Sequence, residues 1–185
     1  MDDNKSCQVK RYDCFDDIER KLRNALINLC LKTWNDEIFD HGFTAKSLVT
    51  ELRIKQKHYF YLAPDDQGDI AGYSVIIPSA REIEENRYGI IPLPLPDGVS
   101  AREIAYLAAI AVWPKCKGKK YGYAICEKIF QDCRAEGFKK VTLYTFGNNY
   151  HGLKFFEKIG FKEFFRTKRN IAGSEKELVY FYYDL

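Results

Sequence analysis

The stretch Val112-Trp113-Pro114-Lys115-Cys116-Lys117-Gly118-Lys119-Lys120-Tyr121-Gly122-Tyr123 closes one apolar run and opens another of different period. Upstream, Glu103–Val112 is apolar on both faces, as expected of a central buried strand. Downstream, Gly122, Ile125, Cys126, Ile129, Phe130 and Cys133 fall at i, i+3, i+4, i+7, i+8 and i+11, the stripe of an amphipathic helix ending near Gly137. A strand, a basic turn at Lys115–Gly118 and a helix therefore follow one another. The first turn of a helix leaves N–H groups without intrahelical acceptors and carries roughly half a positive charge. Such a junction is an anion site, and the four lysines of residues 115–120 strengthen its field. Taken alone, it also reads as a solvated basic loop, because strand–glycine–helix turns are common. The GxxxxGK phosphate loop and the GxGxxG dinucleotide fingerprint are both missing.

Beyond the junction, Lys140–Phe146 reads as a strand, Asn149–Ile159 as a helix closed by Gly160, and Phe161–Lys168 and Leu178–Asp184 as two further strands. On the N-terminal side, residues 7–13 read as a short strand. Asp16 then precedes a helical pattern through Ile18, Leu22, Leu26, Leu29 and Cys30 to Trp34. A second helix runs from Thr44 through Leu48, Val49 and Leu52, and His58–Leu62 and Ile70–Ile77 form a hairpin. The run Pro92-Leu93-Pro94-Leu95-Pro96-Asp97-Gly98 excludes regular helix or central strand, so residues 78–102 are a long excursion. The order β-α-α-β-β-(excursion)-β-α-β-α-β-β predicts an α/β sheet of mixed direction, with a right-handed crossover through the helix at 119–136.

Composition narrows the class. The 185 residues suit one domain over 1–185, and 46% apolar with 30% charged residues is a globular balance. The longest uncharged apolar stretch, Ile104–Pro114, is too short to span a bilayer. Met1–Lys5 is polar and acidic, so no secretory signal is expected. The six cysteines form no CxxC pair and the three histidines lie far apart, so no metal site is expected and the thiols read as reduced, in a cytoplasmic protein. The net charge of +3 is local: Pro114–Lys140 holds eight Lys/Arg against three Asp/Glu. That concentration fits a cofactor phosphate site better than a nucleic-acid stripe.

The junction and the later run Asn149-Tyr150-His151-Gly152-Leu153-Lys154-Phe155-Phe156-Glu157-Lys158-Ile159-Gly160-Phe161 together resemble the GNAT superfamily of acyl-CoA N-acyltransferases. The family's pyrophosphate loop reads (Gln/Arg)-x-x-Gly-x-(Gly/Ala) after a strand ending Val-x-Pro, and Lys117–Gly122 stands in that place. Its later signature, Asn-x-x-Ala-x-x-x-Tyr-Glu-Lys-x-Gly-Phe, falls on Asn149, Gly152, Phe156, Glu157, Lys158, Gly160 and Phe161. The resemblance implies a mixed, mostly antiparallel central sheet with a β-α-β-α core and splayed central strands. It implies acetyl-CoA as cofactor, held by the backbone of Ile110, Ala111 and Val112, by Lys117, Gly118, Lys119, Lys120, Tyr121, Gly122 and Tyr123, and by Asn149 and Phe156. Three departures stand out. Lys117 keeps the charge but not the planar fork of arginine, Lys120 replaces a glycine, and Phe156 replaces a tyrosine that in many relatives protonates the departing thiolate.

The implied reaction is attack of a neutral amine on the thioester, releasing CoA. A lysine-like amine of pKa about 10.4 is neutral in only about one part in 2,500 at pH 7, which makes its deprotonation the harder step. A thiol with pKa of about 8.5 leaves readily. In the family the base often comes from the strand before the loop, which points to Glu103 or Tyr106, though an exposed carboxylate and a packing ring are the plainer readings of these two. His151 and Cys116 are weaker candidates for base and reactive thiol. The acceptor, a small-molecule or protein amine, stays open, as does monomer or homodimer. Glu82, Glu84, Glu85 and the aromatic C-terminal part suit a cationic amine. The rival reading is a non-catalytic acyl-CoA-binding or regulatory module. Nucleic acid and membrane partners are not expected.

Overall fold

The computed structural model describes residues 8–34, 44–54, 58–78, 94–171 and 173–185. Glu82, Glu84, Glu85, His41 and most of the excursion lie outside these residues. The strands are β1 (Lys10–Tyr12), β2 (Tyr59–Pro64), β3 (Ile70–Ile77), β4 (Ile104–Val112), β5 (Lys140–Phe146), β6 (Lys162–Ile171) and β7 (Ser174–Asp184). The helices are α1 (Arg20–Trp34), α2 (Ala45–Ile54), α3 (Tyr121–Ala135) and α4 (Tyr150–Ile159). The strands are ordered β1-β2-β3-β4-β5-β7-β6 in a seven-stranded sheet. Pairing is antiparallel for β1/β2, β2/β3, β5/β7 and β6/β7, and parallel for β4/β5, as a helical crossover requires. This is the mixed, mostly antiparallel sheet expected. Among the described residues no helix is long and apolar enough to cross a membrane.

Two compact units divide the chain, Met1–Ile76 with Ala108–Ile129 and Ile77–Leu107 with Phe130–Leu185. In the first, Leu26, Leu29 and Cys30 of α1 and Leu48 and Leu52 of α2 pack on Phe60, Leu62, Tyr73 and Val75. Helix α1 starts at Arg20, four residues after Asp16. Residues Phe15–Asp17 form a 3-10 turn that buries Phe15 and Ile18, and Asp16 instead pairs with Arg23 at 2.8 Å and Arg53 at 3.2 Å. Ser74 Oγ donates to Ala109 O at 2.7 Å and Trp113 N to Ala71 O at 2.8 Å, which tie β3 to the end of β4. Gly72 permits this closeness, since a Cβ there would lie 2.9 Å from Ala111 O.

In the second unit, one face of the β5–β7 pair is covered by helices. Phe130 of α3 stacks on Tyr183 at 3.9 Å, and Phe156 of α4 lies 6.0 Å from Phe181 and 5.6 Å from Phe161. Alternation puts Tyr106, Tyr144 and Tyr180 on the other face. Helix α4 ends at Gly160 with φ 106°, a left-handed position that glycine adopts without strain. All six positions of the α3 stripe are buried.

The prediction for β4 needs one correction. Only Ile104–Leu107 is buried; Ala108 is exposed and Ala109–Val112 half-buried. The buried part coincides with a parallel ladder that pairs Ile104, Ala105 and Tyr106 with Lys140, Val141 and Thr142 and goes no further. A strand continuing past its ladder keeps polar backbone that needs other partners.

Candidate active site

The junction after β4 is built as a turn within a turn. Pro114–Cys116 forms a 3-10 turn; Cys116 N donates to Trp113 O at 2.8 Å and Lys117 N to Pro114 O at 3.2 Å. Gly118 and Lys120 then take φ of 81° and 64°, and α3 begins with Ala124 N donating to Lys120 O at 3.1 Å. Left-handed residues set into a right-handed turn are the alternation from which anion-binding nests are made. Lys120 is the one non-glycine residue with positive φ among the described residues. Lys120 stands where the family pattern has a glycine and takes left-handed backbone, which costs about 1–2 kcal/mol for a residue with a Cβ.

The side chains of this turn point the same way chemically. Lys115, Lys117, Lys119 and Lys120 are exposed, and none has an ion-pair partner among the described residues. Several cations elsewhere are matched, as in Lys21 with Asp69 or Lys168 with Glu175. Four like charges close together, above the positive end of α3, repel one another until an anion arrives. The donor set fits a diphosphate. Cys116, by contrast, is buried, which leaves a thiol there without access to reagents. Ile110, Ala111 and Val112 supply the half-buried backbone immediately upstream, and Tyr121, Gly122 and Tyr123 form the first turn of α3.

In the second unit, Asn149 caps α4. Its Oδ1 accepts from Gly152 N at 3.1 Å and its Nδ2 donates to Thr145 Oγ1 at 2.9 Å. Thr145 is a positioning partner that the sequence reading missed; its position four residues ahead, at the end of β5, was the available signal. Gly152 is part of the same device, because a Cβ there would come within 2.4 Å of Asn149 Nδ2. Where the family pattern has alanine, glycine gives this amide room. Phe156 is buried, among Phe155, Phe161 and Phe181.

Glu103 and Tyr106 are occupied with structure. Glu103 precedes β4 and closes a capping box, accepting from Ser100 N and Ser100 Oγ at 2.9 Å each, and it pairs with Lys139. Lys139 first, then the two Ser100 bonds, hold its carboxyl at about 2, below the ordinary 4.5. Tyr106 is buried, and burial first, then Tyr144 and Tyr180, push its hydroxyl well above its ordinary value. The depressed Glu103 carboxyl stabilises the fold above pH about 4.5, and that contribution is lost as pH falls towards about 2. Glu103→Gln is therefore expected to lower Tm by a constant amount above pH about 5 and by progressively less below it, read by thermal melts across pH. A general base contributes about 10²–10⁴-fold; the acetyl transfer that the resemblance implies is expected to stay within about threefold of wild type in Glu103→Gln at pH 7.5, and a loss of about 10²-fold or more would assign the base to Glu103. Among the described residues no group of three metal-ligating side chains occurs.

With the geometry in view, likeness to known proteins can be stated. A family model described as "Acetyltransferase (GNAT) family" matches residues 20–161, which include both motif segments. No curated protein matches the chain in sequence. A protein of Streptococcus mutans UA159 is 18% identical with a TM-score of 0.67, the match covering 96% of this chain and 98% of that one. An N-acetyltransferase from Staphylococcus aureus Mu50 is 12% identical with a TM-score of 0.65, at 96% and 98% coverage. A GNAT superfamily phosphinothricin acetyltransferase from Sinorhizobium meliloti, in complex with AcCoA, is 14% identical with a TM-score of 0.66, at 96% and 88% coverage.

Proposed function

The chain belongs to the acetyltransferase (GNAT) family, and from that premise we propose that it transfers the acetyl group of acetyl-CoA to a primary amine by direct attack on the thioester. The observation that carries this is the turn after β4: four exposed lysines with no ion-pair partner among the described residues, in a turn whose Gly118 and Lys120 are left-handed, at the N-terminus of α3 and within the family match. Lys117, Gly118, Lys119, Lys120, Tyr121, Gly122 and Tyr123 would hold the diphosphate. By the family resemblance, the half-buried backbone of Ile110, Ala111 and Val112 would pair with the pantetheine amides, and Asn149, fixed by Thr145, and Phe156 are the cofactor residues it assigns in the second unit. Acetyl-CoA supplies an activated acyl group on a thiolate whose conjugate acid has a pKa of about 8.5.

What the protein adds is binding, orientation and control of protons. Phe156 has no acidic hydrogen, so the thiolate leaves unaided from that position. Tyr106 remains a phenol throughout the physiological range, able to donate a hydrogen bond but not to act as base. A carboxyl held at about 2 is a poor proton acceptor, so in this reading Glu103 acts at most through water. The whole of 1–185 is assigned to this one activity, in the cytoplasm, where free thiols such as buried Cys30 and Cys126, both pushed up to about 12 by burial, persist.

Titration calorimetry with acetyl-CoA tests the reading. Binding tighter than about 0.1 mM is expected, within the usual range of substrate affinities; no heat at millimolar cofactor would overturn it. Binding without CoA release across a panel of amines and amine-bearing peptides would favour the non-catalytic acyl-CoA module.

A further inference from the structure

The hairpin β6–β7 carries nine charged residues between Lys162 and Asp184, and seven of them are ion-paired. Lys162 meets Asp184 at 3.0 Å, Arg166 bridges Glu163 at 2.8 Å and Glu177 at 3.1 Å, and Lys168 meets Glu175 at 2.9 Å. Arg169 and Lys176 have no ion pair among the described residues, and the register sets them directly opposite each other. Directly opposed side chains on an antiparallel pair have Cβ atoms about 5 Å apart, and like charges there are destabilising. Edge protection accounts for a charge on β6, the last strand of the sheet. It does not account for Lys176, which stands on the inner strand β7.

The surroundings of the pair are aromatic. Lys176 lies on the same face of β7 as Leu178 and Tyr180, which pair with Phe146 and Tyr144 of β5. Its Nζ sits 5.8 Å from the Phe146 ring, and Tyr180 is within reach of the Arg169 charge. Arg169 is exposed and Lys176 half-buried. Phe146 ends β5, and its carbonyl accepts from Asn149 N at 3.0 Å, so the pair borders the turn from which α4 and its capping Asn149 start. Two cations that repel each other, an aromatic floor and an open side form a subsite for an anion attached to an apolar body.

We infer that Arg169 and Lys176 bind the carboxylate of the acceptor, so that the acceptor is a small amine of the amino-acid class and not a polyamine or a lysine side chain. This rests on the acetyl-transfer reading and narrows it. A carboxylate between the two side chains replaces their mutual repulsion with two charge-assisted hydrogen bonds. An uncharged or cationic amine leaves the repulsion in place. The subsite selects on the carboxylate that, in an amino acid, is borne by the same carbon as the reacting nitrogen.

The test uses the full chain with acetyl-CoA and matched acceptors, the common amino acids against their carboxamides, with CoA release as the readout. At least tenfold higher kcat/KM for the acid of the preferred pair is expected. That preference should fall below about threefold in the Arg169→Gln, Lys176→Gln double variant, through KM of the acceptor and with the KM for acetyl-CoA unchanged. A readout independent of turnover accompanies it: removing the opposed charges should leave Tm unchanged or raise it. Equal rates for acid and amide overturn the inference, as does turnover of no amino acid by protein that binds acetyl-CoA. A double variant whose KM rises for acetyl-CoA but not for acetyl-dephospho-CoA would also overturn it, because the anion would then be the cofactor's own phosphate. Failure to bind acetyl-CoA at all would instead overturn the acetyl-transfer reading.

Discussion

Replacing Lys117, Lys119 and Lys120 together by glutamine is expected to weaken acetyl-CoA binding by about two orders of magnitude. Each lysine is exposed and without an ion-pair partner among the described residues, so its whole field is available to a phosphate. A charge-assisted contact is worth about 1.5–3 kcal/mol where water is excluded and about 0.2–1 kcal/mol where it is not. Taking about 1 kcal/mol each for an open loop gives about 3 kcal/mol, or roughly 100-fold. Calorimetry at two salt concentrations separates charge from shape. Screening over about 8–10 Å should cost wild type most of this advantage between low and high salt, whereas the triple variant should respond little. Misfolding would not explain the loss, because removing mutually repelling charges should hold Tm or raise it. Lys120→Gly gives the counterpart. It relieves about 1–2 kcal/mol of left-handed strain, so it should raise stability while lowering affinity by no more than about tenfold. Unchanged affinity and salt dependence in the triple variant would remove the turn from the cofactor site.

The behaviour of Lys120 shows where a sequence reading holds and where it stops. The motif identifies it as a side chain in a glycine position; only the backbone shows that it takes a left-handed conformation, with φ at 64°. Periodicity located α3, α4 and the strands within a few residues, because each apolar stripe or alternation faces a core that demands it. Asp16 was misread for a related reason. Asp before an apolar run commonly caps a helix, but here two arginines, one of them 37 residues away, take its carboxylate. Long-range partners leave no local signature. Lys139, the distant partner of Glu103, is of the same kind, whereas Ser100, three residues before Glu103, and Thr145, four before Asn149, are local partners whose spacing is written in the sequence. The opposition of Arg169 and Lys176 depends on register across a turn, which alternation alone does not fix to the residue.

Phe156 is the position where stability and chemistry pull apart, and it carries the largest expected loss of stability. Its ring is 6% exposed and meets Phe155, Phe161 and Phe181, so Phe156→Ala deletes a core ring and leaves a cavity. About 3–5 kcal/mol is expected, a large share of the roughly 5–15 kcal/mol that holds a domain folded, and urea denaturation would read it directly. Phe156→Tyr keeps the ring and adds the hydroxyl that many relatives have. Buried without a partner, that hydroxyl would cost about 1–3 kcal/mol; bonded at a departing sulfur, it would recover part of this only during turnover. Because a thiolate with a conjugate-acid pKa of about 8.5 leaves readily near neutrality, the rate gain should stay below about tenfold between pH 6.5 and 8.5. A gain of a hundredfold would mean that thiolate departure, rather than deprotonation of the amine, limits this enzyme. In that case the missing hydroxyl, and not the deprotonation of the amine, would set its rate.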